Sequence, residues 1–152
     1  MGIEPPDKFP LVFYRDNAAD TLINVDDVNN ANIASHKVLL VNGTALNQEP
    51  SRSATIHAVE IAKKNSVTVV MDLDFRADQW EDYRSFGRII RSIIPKVDIA
   101  IGTEEEVLAS MLKDSSQVTI KHQQISSPEI KGNLDKSIEG LIKLDKTINK
   151  TI

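Results

Sequence analysis

Cysteine is absent from the 152 residues, which excludes disulfides and thiolate metal centres and leaves the fold to rest on its core. No apolar run approaches the ~20 residues needed to cross a bilayer. The opening Met1-Gly2-Ile3-Glu4-Pro5-Pro6-Asp7-Lys8 lacks the apolar stretch of a signal peptide. Together these features predict a chain of the cytoplasm with no membrane partner. Six glycines and six prolines exclude a fibrous or low-complexity composition. The net charge of -4 arises from acidic and basic residues mixed along the chain, without the basic stripe that would neutralise a phosphate backbone, so nucleic acid is not an expected partner. The three histidines, His36, His57 and His122, are far apart and form no H-x-x-x-H pattern, so metal ligation by imidazole is not expected.

What is present reads as one globular domain. A hydrophobic share of 41% over 152 residues allows a sizeable core and no comfortable second domain. Leu11-Val12-Phe13-Tyr14-Arg15 is β-prone, and Asp16 to Asp20 reads as a turn. Val25 to His36 carries Val28, Ala31 and Asn32 at helical spacing, with Asn24 placed to cap it and Asp26 and Asp27 near its positive end. Val38-Leu39-Leu40-Val41 is apolar on both faces, the pattern of a parallel strand covered by helices on each side, and Asn42-Gly43-Thr44 ends it. From Ser51 to Asn65, Ala54, Ala58, Ile61 and Ala62 form one stripe of a helix.

Thr68 to Met71 repeats the strand pattern. After the polar stretch Asp72 to Asp82, Phe86, Ile89, Ile90, Ile93 and Ile94 mark a helix that Pro95 stops, with Trp80 and Tyr83 packing as a lid on the core. Val97 to Ile101 is a third strand and Glu104 to Leu112 a short helix. Lys113 to Lys131 shows neither period and predicts a polar loop. Asn133 to Leu144 resumes as a helix, and Thr147 to Ile152 resembles the start of another strand. Apolar runs separated by helical crossovers, with no tight hairpin between them, predict an α/β fold: three layers, α/β/α, around a mainly parallel sheet.

Two strands end in polar clusters, and the carboxyl ends of parallel strands are where open α/β sheets bind ligands. In Asp72-Leu73-Asp74-Phe75-Arg76, strand alternation puts the two aspartates on one side, with Arg76 continuing it. One reading is a guanidinium that grips an anionic substrate while the aspartates accept from hydroxyls; the other is a salt-bridged strand end. Thr103-Glu104-Glu105-Glu106 is a capping box by spacing, and its Glu106 also suits a water held on Mg²⁺ near phosphates. Both hold only if Glu106 does not spend both oxygens on the helix. Tyr14-Arg15 offers a hydroxyl and a guanidinium to a carboxylate, or forms a packing and solvent pair.

The segments FYRDNAAD at 13–20, VNGTAL at 41–46, VVMDLDFRADQW at 69–80 and IGTEEE at 101–106 resemble, in order and spacing, the ribokinase-like carbohydrate kinases, in particular those whose acceptor is a keto-sugar acid. The resemblance covers nearly all of Leu11 to Leu112. It implies transfer of the ATP γ-phosphoryl group, with Mg²⁺, to a primary hydroxyl of the sugar acid. It also implies substrate binding by Tyr14, Arg15, Asp74 and Arg76, with the two arginines on the carboxylate. Thr103 and Glu106 fall on the nucleotide side, Glu106 nearest the metal. Thr103 stands where the family's Asn-x-x-Glu motif carries Asn, and Asp74 where many relatives carry Asn. The family's Gly-Ala-Gly-Asp segment, whose Asp is the general base beside a helix start, occurs nowhere in the 152 residues. The resemblance therefore implies the middle part, roughly half, of a kinase, inactive alone. The rival expectation is a non-catalytic α/β binding or scaffolding module that forms a homodimer through its sheet edges.

Overall fold

The computed structural model describes residues 15–120 and 128–144. Strands β1 (Val38–Asn42), β2 (Thr68–Asp72) and β3 (Ile99–Ile101) are parallel and lie in that spatial order. Asn42 pairs with Asp72, and Asp72 with Ile101, so the three strands finish at one level. Helix α1 (Val25–Asn30) precedes β1, α2 (Ser51–Lys64) links β1 to β2, and α3 (Tyr83–Ile93) links β2 to β3. Helices α4 (Glu104–Ser110) and α5 (Leu134–Ile142) follow. This is the α/β architecture that the alternation predicts. Among the described residues no helix is long and apolar enough to cross a membrane.

Parallel crossovers are right-handed, and two taken in the same direction across a sheet put both linking helices on one face. That face carries the core: Val41, Val69 and Met71 are buried with Ala54, Ala58 and Ala62 of α2 and Phe86, Ile90 and Ile93 of α3. Phe86 stacks on Phe75 at 4.7 Å between ring centroids and edge-on to Trp80 at 5.5 Å; Phe75 meets Tyr83 at 6.1 Å. Trp80 and Tyr83 therefore close the core beneath the polar segment. The opposite sheet face is open among the described residues, with Val38 54%, Leu40 67%, Ile99 51% and Ile101 55% exposed. The apolar pattern of β1 thus reports a strand with two apolar faces, one of which the described helices cover.

Several boundaries differ from the sequence reading for identifiable reasons. Asn24 caps α1 as predicted, in a reciprocal box with Asp27, but the helix stops at Asn30 instead of His36. Asn32 turns left-handed (φ 49°), and Ile33–Ser35 continues as a single 3₁₀ turn. Strand β3 starts at Ile99 instead of Val97: the Val97 N–H closes the preceding turn onto the Ile94 carbonyl at 3.0 Å, and Asp98, whose N–H donates to the Val69 carbonyl at 2.9 Å, also accepts the Val69 N–H on its carboxylate at 2.8 Å and pairs with Lys63 at 2.7 Å. The predicted loop Lys113 to Lys131 contains a 3₁₀ turn (Ser115–Gln117) and a short antiparallel pair, β4 (Val118–Thr119) with β5 (Glu129–Ile130). Gln117 holds this pair together, accepting the main-chain N–H of Asp114 at 3.0 Å and donating to the Lys131 carbonyl at 2.8 Å. Such polar pairing has no hydrophobic period to betray it. The strand expected at Thr147 to Ile152, most of that at Leu11 to Arg15, and His122 lie outside the described residues.

Candidate functional site

The β2 strand ends at Asp72, after which Leu73 donates its N–H to the Ile101 carbonyl at 2.8 Å. Asp74 then adopts a left-handed backbone (φ 41°), a conformation that Asn and Asp tolerate better than most side chains. The regular alternation predicted through residue 76 is therefore broken at 74. Even so, Asp72, Asp74 and Arg76 line one crevice of about 540 Å³ together with Ile101, Gly102, Thr103 and Glu106. Arg76 Nη2 pairs with Asp74 Oδ1 at 2.7 Å. The salt-bridged strand end and the lined crevice coexist.

Leu73 sits between the ends of the two neighbouring strands. A Cβ on Gly43, just after β1, would stand 1.9 Å from the Leu73 carbonyl oxygen, so only glycine permits this backbone approach. On the other side, a Cβ on Gly102 would stand 2.8 Å from Leu73 Cδ1 and 3.2 Å from Glu106 Oε2.

At the mouth of α4 the capping box forms as its spacing predicts. Thr103 donates its N–H to Glu106 Oε2 at 2.8 Å, and the Glu106 N–H reaches Thr103 Oγ1 at 3.4 Å. The cap uses one carboxylate oxygen, leaving Oε1 outside it, while Glu106 as a residue is 8% exposed. Burial pushes the Glu106 carboxyl above its ordinary value; the Thr103 N–H opposes this, Asp72 and Asp74 add to it, and Arg76 opposes it.

Arg15 is not among the residues lining this crevice, but it is tied to it. Its guanidinium donates to the Thr44 carbonyl at 3.0 Å and to Gln79 Oε1 at 2.6 Å, and it pairs with Asp20. The Thr44 hydroxyl lies 3.1 Å from Asp74 Oδ2 and 3.0 Å from Asn42 Oδ1. Sequence reasoning missed Asn42, Thr44 and Gln79. Asn42-Gly43-Thr44 reads as a strand terminator, and the register that brings Thr44 to Asp74 is a non-local fact. Tyr14 lies outside the described residues.

A second cleft, about 550 Å³, opens between the starts of α2 and α3, lined in part by Arg52, Gln79, Trp80, Asp82, Ser85 and Arg88. Its cations are committed within the fold: Arg52 donates to the Leu46 and Asn47 carbonyls, and Arg88 to Ser85 and Asp82. His36 bonds to the Asn32 carbonyl and His57 to Asn29, each with a local structural role.

Carboxylates and a guanidinium gather beyond the strand ends of a parallel sheet, the region where open α/β sheets bind ligands, and residues 7–132 match the pfkB family carbohydrate kinases; the chain belongs to that family. It is 37% identical over 131 residues to a 5-dehydro-2-deoxygluconokinase of Halalkalibacterium halodurans, covering 84% of this chain and 40% of the relative. It is also 37% identical over 119 residues to the enzyme of that name from Bacillus velezensis, covering 77% and 36%. A Listeria monocytogenes 5-dehydro-2-deoxygluconokinase is 36% identical over 104 residues, covering 68% and 32%. The chain thus spans well under half the length of the curated relatives it matches.

Proposed function

We propose that this chain supplies the acid-binding, metal-facing part of a kinase that transfers the ATP γ-phosphoryl group to a hydroxyl of 5-dehydro-2-deoxygluconate, in the cytoplasm and in inositol catabolism. The observation that carries the reading is that Arg76 and Glu106, from the ends of β2 and β3, line one crevice. Arg76 binds the sugar-acid carboxylate through paired N–H donors, with Arg15 and Tyr14 alongside. Asp74 accepts from substrate hydroxyls, and Thr103 and Glu106 face the nucleotide.

Mg²⁺ fits the donor chemistry, since the cap leaves Glu106 Oε1 available to orient a metal-bound water and Asp72 is an exposed carboxylate in the same crevice. Among the described residues no three His, Cys, Asp or Glu side chains are grouped to hold an ion. When bound, such an ion neutralises charge on the phosphate oxygens.

The 152 residues contain no Gly-Ala-Gly-Asp segment, so no general base is assigned to them and they do not turn over alone. An ATP-coupled assay of the isolated chain with 5-dehydro-2-deoxygluconate is expected to give no phosphorylation; robust turnover overturns the incomplete-site reading. 2-Keto-3-deoxygluconate is the alternative acceptor, to be separated by substrate profiling of a full-length relative.

A second reading, a non-catalytic module paired with another copy of itself, is favoured by the apolar sheet face left open and by β1 and β3 lying at the sheet's edges among the described residues. Strictly monomeric behaviour in light scattering at high concentration removes it.

A further inference from the structure

The register of the sheet does more than align strand ends. Asn42 pairs with Asp72, so Thr44 and Asp74, each two residues further on, emerge side by side beyond the sheet. Gly43 lets the β1 end approach the Leu73 carbonyl, which brings Thr44 within hydrogen-bond reach of a side chain 30 residues away. Thr44 then touches both arms of the acid pocket. Its main-chain carbonyl accepts from Arg15, and its hydroxyl reaches the carboxylate that pairs with Arg76.

We propose that Thr44 is a positioning residue of the sugar-acid pocket: its hydroxyl fixes Asp74, and through it Arg76, at the same residue whose carbonyl holds Arg15. The inference rests on the pocket assigned under Proposed function.

Three observations support it. Asp74 has a left-handed backbone, uncommon outside glycine though one that Asp tolerates, and this turn sets the direction in which its carboxylate leaves the chain. The two oxygens of Asp74 are divided, Oδ1 to Arg76 and Oδ2 to Thr44, so the carboxylate cannot rotate without breaking a bond. A hydroxyl has a single proton, and the charged Asp74 is the stronger of its two acceptors. The amide of Asn42, turned to present its NH₂, then donates to Thr44 and completes a chain from Asn42 through Thr44 and Asp74 to Arg76.

The test is made on the 152-residue chain labelled with ¹⁵N, following the guanidinium Nε–H signals of Arg15 and Arg76 and titrating with gluconate as the acid probe. In Thr44→Val, which keeps the shape and the main-chain carbonyl, the Arg76 signal is expected to shift and its guanidinium rotation to quicken severalfold, while Arg15 stays unchanged. Gluconate binding is expected to weaken about tenfold, the worth of one hydrogen bond to a charged group. Thr44→Ser restores both. Thr44→Ala replaces the valine variant if the latter does not fold.

A folded Thr44→Val with an unaltered Arg76 signal and unaltered gluconate affinity overturns the proposal and leaves the acid-pocket reading standing. If the parent shows no gluconate response while Arg76 loosens in the variant, the acid-pocket reading fails and the positioning role of Thr44 survives.

Discussion

Replacing Gly43 with alanine isolates one steric contact. The added Cβ would sit 1.9 Å from the Leu73 carbonyl oxygen and 2.9 Å from its carbon. Ordinary carbon–oxygen contact is roughly 3.3 Å, so the segment after β1 must retreat by about 1.4 Å from a main chain that is itself hydrogen-bonded to Ile101. Overpacking of this kind costs about 1–3 kcal/mol. The retreat also pulls Thr44 from Asp74, losing a hydrogen bond to a charged group worth about 1.5 kcal/mol. Gly43→Ala is thus expected to cost about 2.5–4.5 kcal/mol, a fall in Tm of roughly 5–18 °C for a domain of this size, by far-UV circular dichroism and calorimetry.

Gly140→Ala in α5 is the comparison. There the new Cβ meets Met111 Cε at 2.5 Å, the tip of a flexible side chain that can swing aside. Alanine also gains about 1 kcal/mol of helix propensity over glycine, so the net change is expected to stay within about 1 kcal/mol. Equal losses at the two positions, or a Gly43→Ala midpoint within about 2 °C of the parent, refute the close-approach argument.

Glu106→Gln preserves an acceptor for the Thr103 N–H while removing a buried charge, so it is expected to raise Tm at pH 7. Because the folded state raises the Glu106 pKa, its stabilising contribution is complete below the ordinary value of 4.5 and is lost as pH rises through the folded value. The gain from glutamine should therefore vanish in scans below that pH; a gain that persists there contradicts the assignment. Phe86→Ala, at the centre of the Phe75, Trp80 and Phe86 contacts, is expected to cost about 3–5 kcal/mol in denaturant titrations read by the single tryptophan. Leu40→Ser on the open sheet face should move stability by no more than about 0.5 kcal/mol while reducing any self-association seen by light scattering; unchanged association excludes that face as the contact.

The helices and the first two strands were legible because their periods are local properties. Ala54, Ala58, Ile61 and Ala62 share a stripe wherever α2 sits, and Val38 to Val41 and Thr68 to Met71 are short apolar runs whatever packs on them. The covering of the sheet was less legible, because β1 reads as apolar on both faces while strand order decides which face receives helices. At the site, the capping box of Thr103 and Glu106 was readable from spacing. The turn at Asp74 was not, since alternation assumes an extended backbone where this residue has φ 41°. Thr44 and Gln79 escaped notice because each meets its partner across 29 residues or more.

The two glycines that flank Leu73 differ in what evolution can do with them. At position 102 the obstacles are side chains, Leu73 first and the Glu106 carboxylate behind it, so a larger residue there is admissible in a lineage that shortens position 73 and lets Glu106 shift by a few tenths of an ångström. At position 43 the obstacle is a peptide oxygen, which every amino acid carries, and no second-site change of residue type can remove it. One side of Leu73 is thus negotiable across descendants, and the other is fixed.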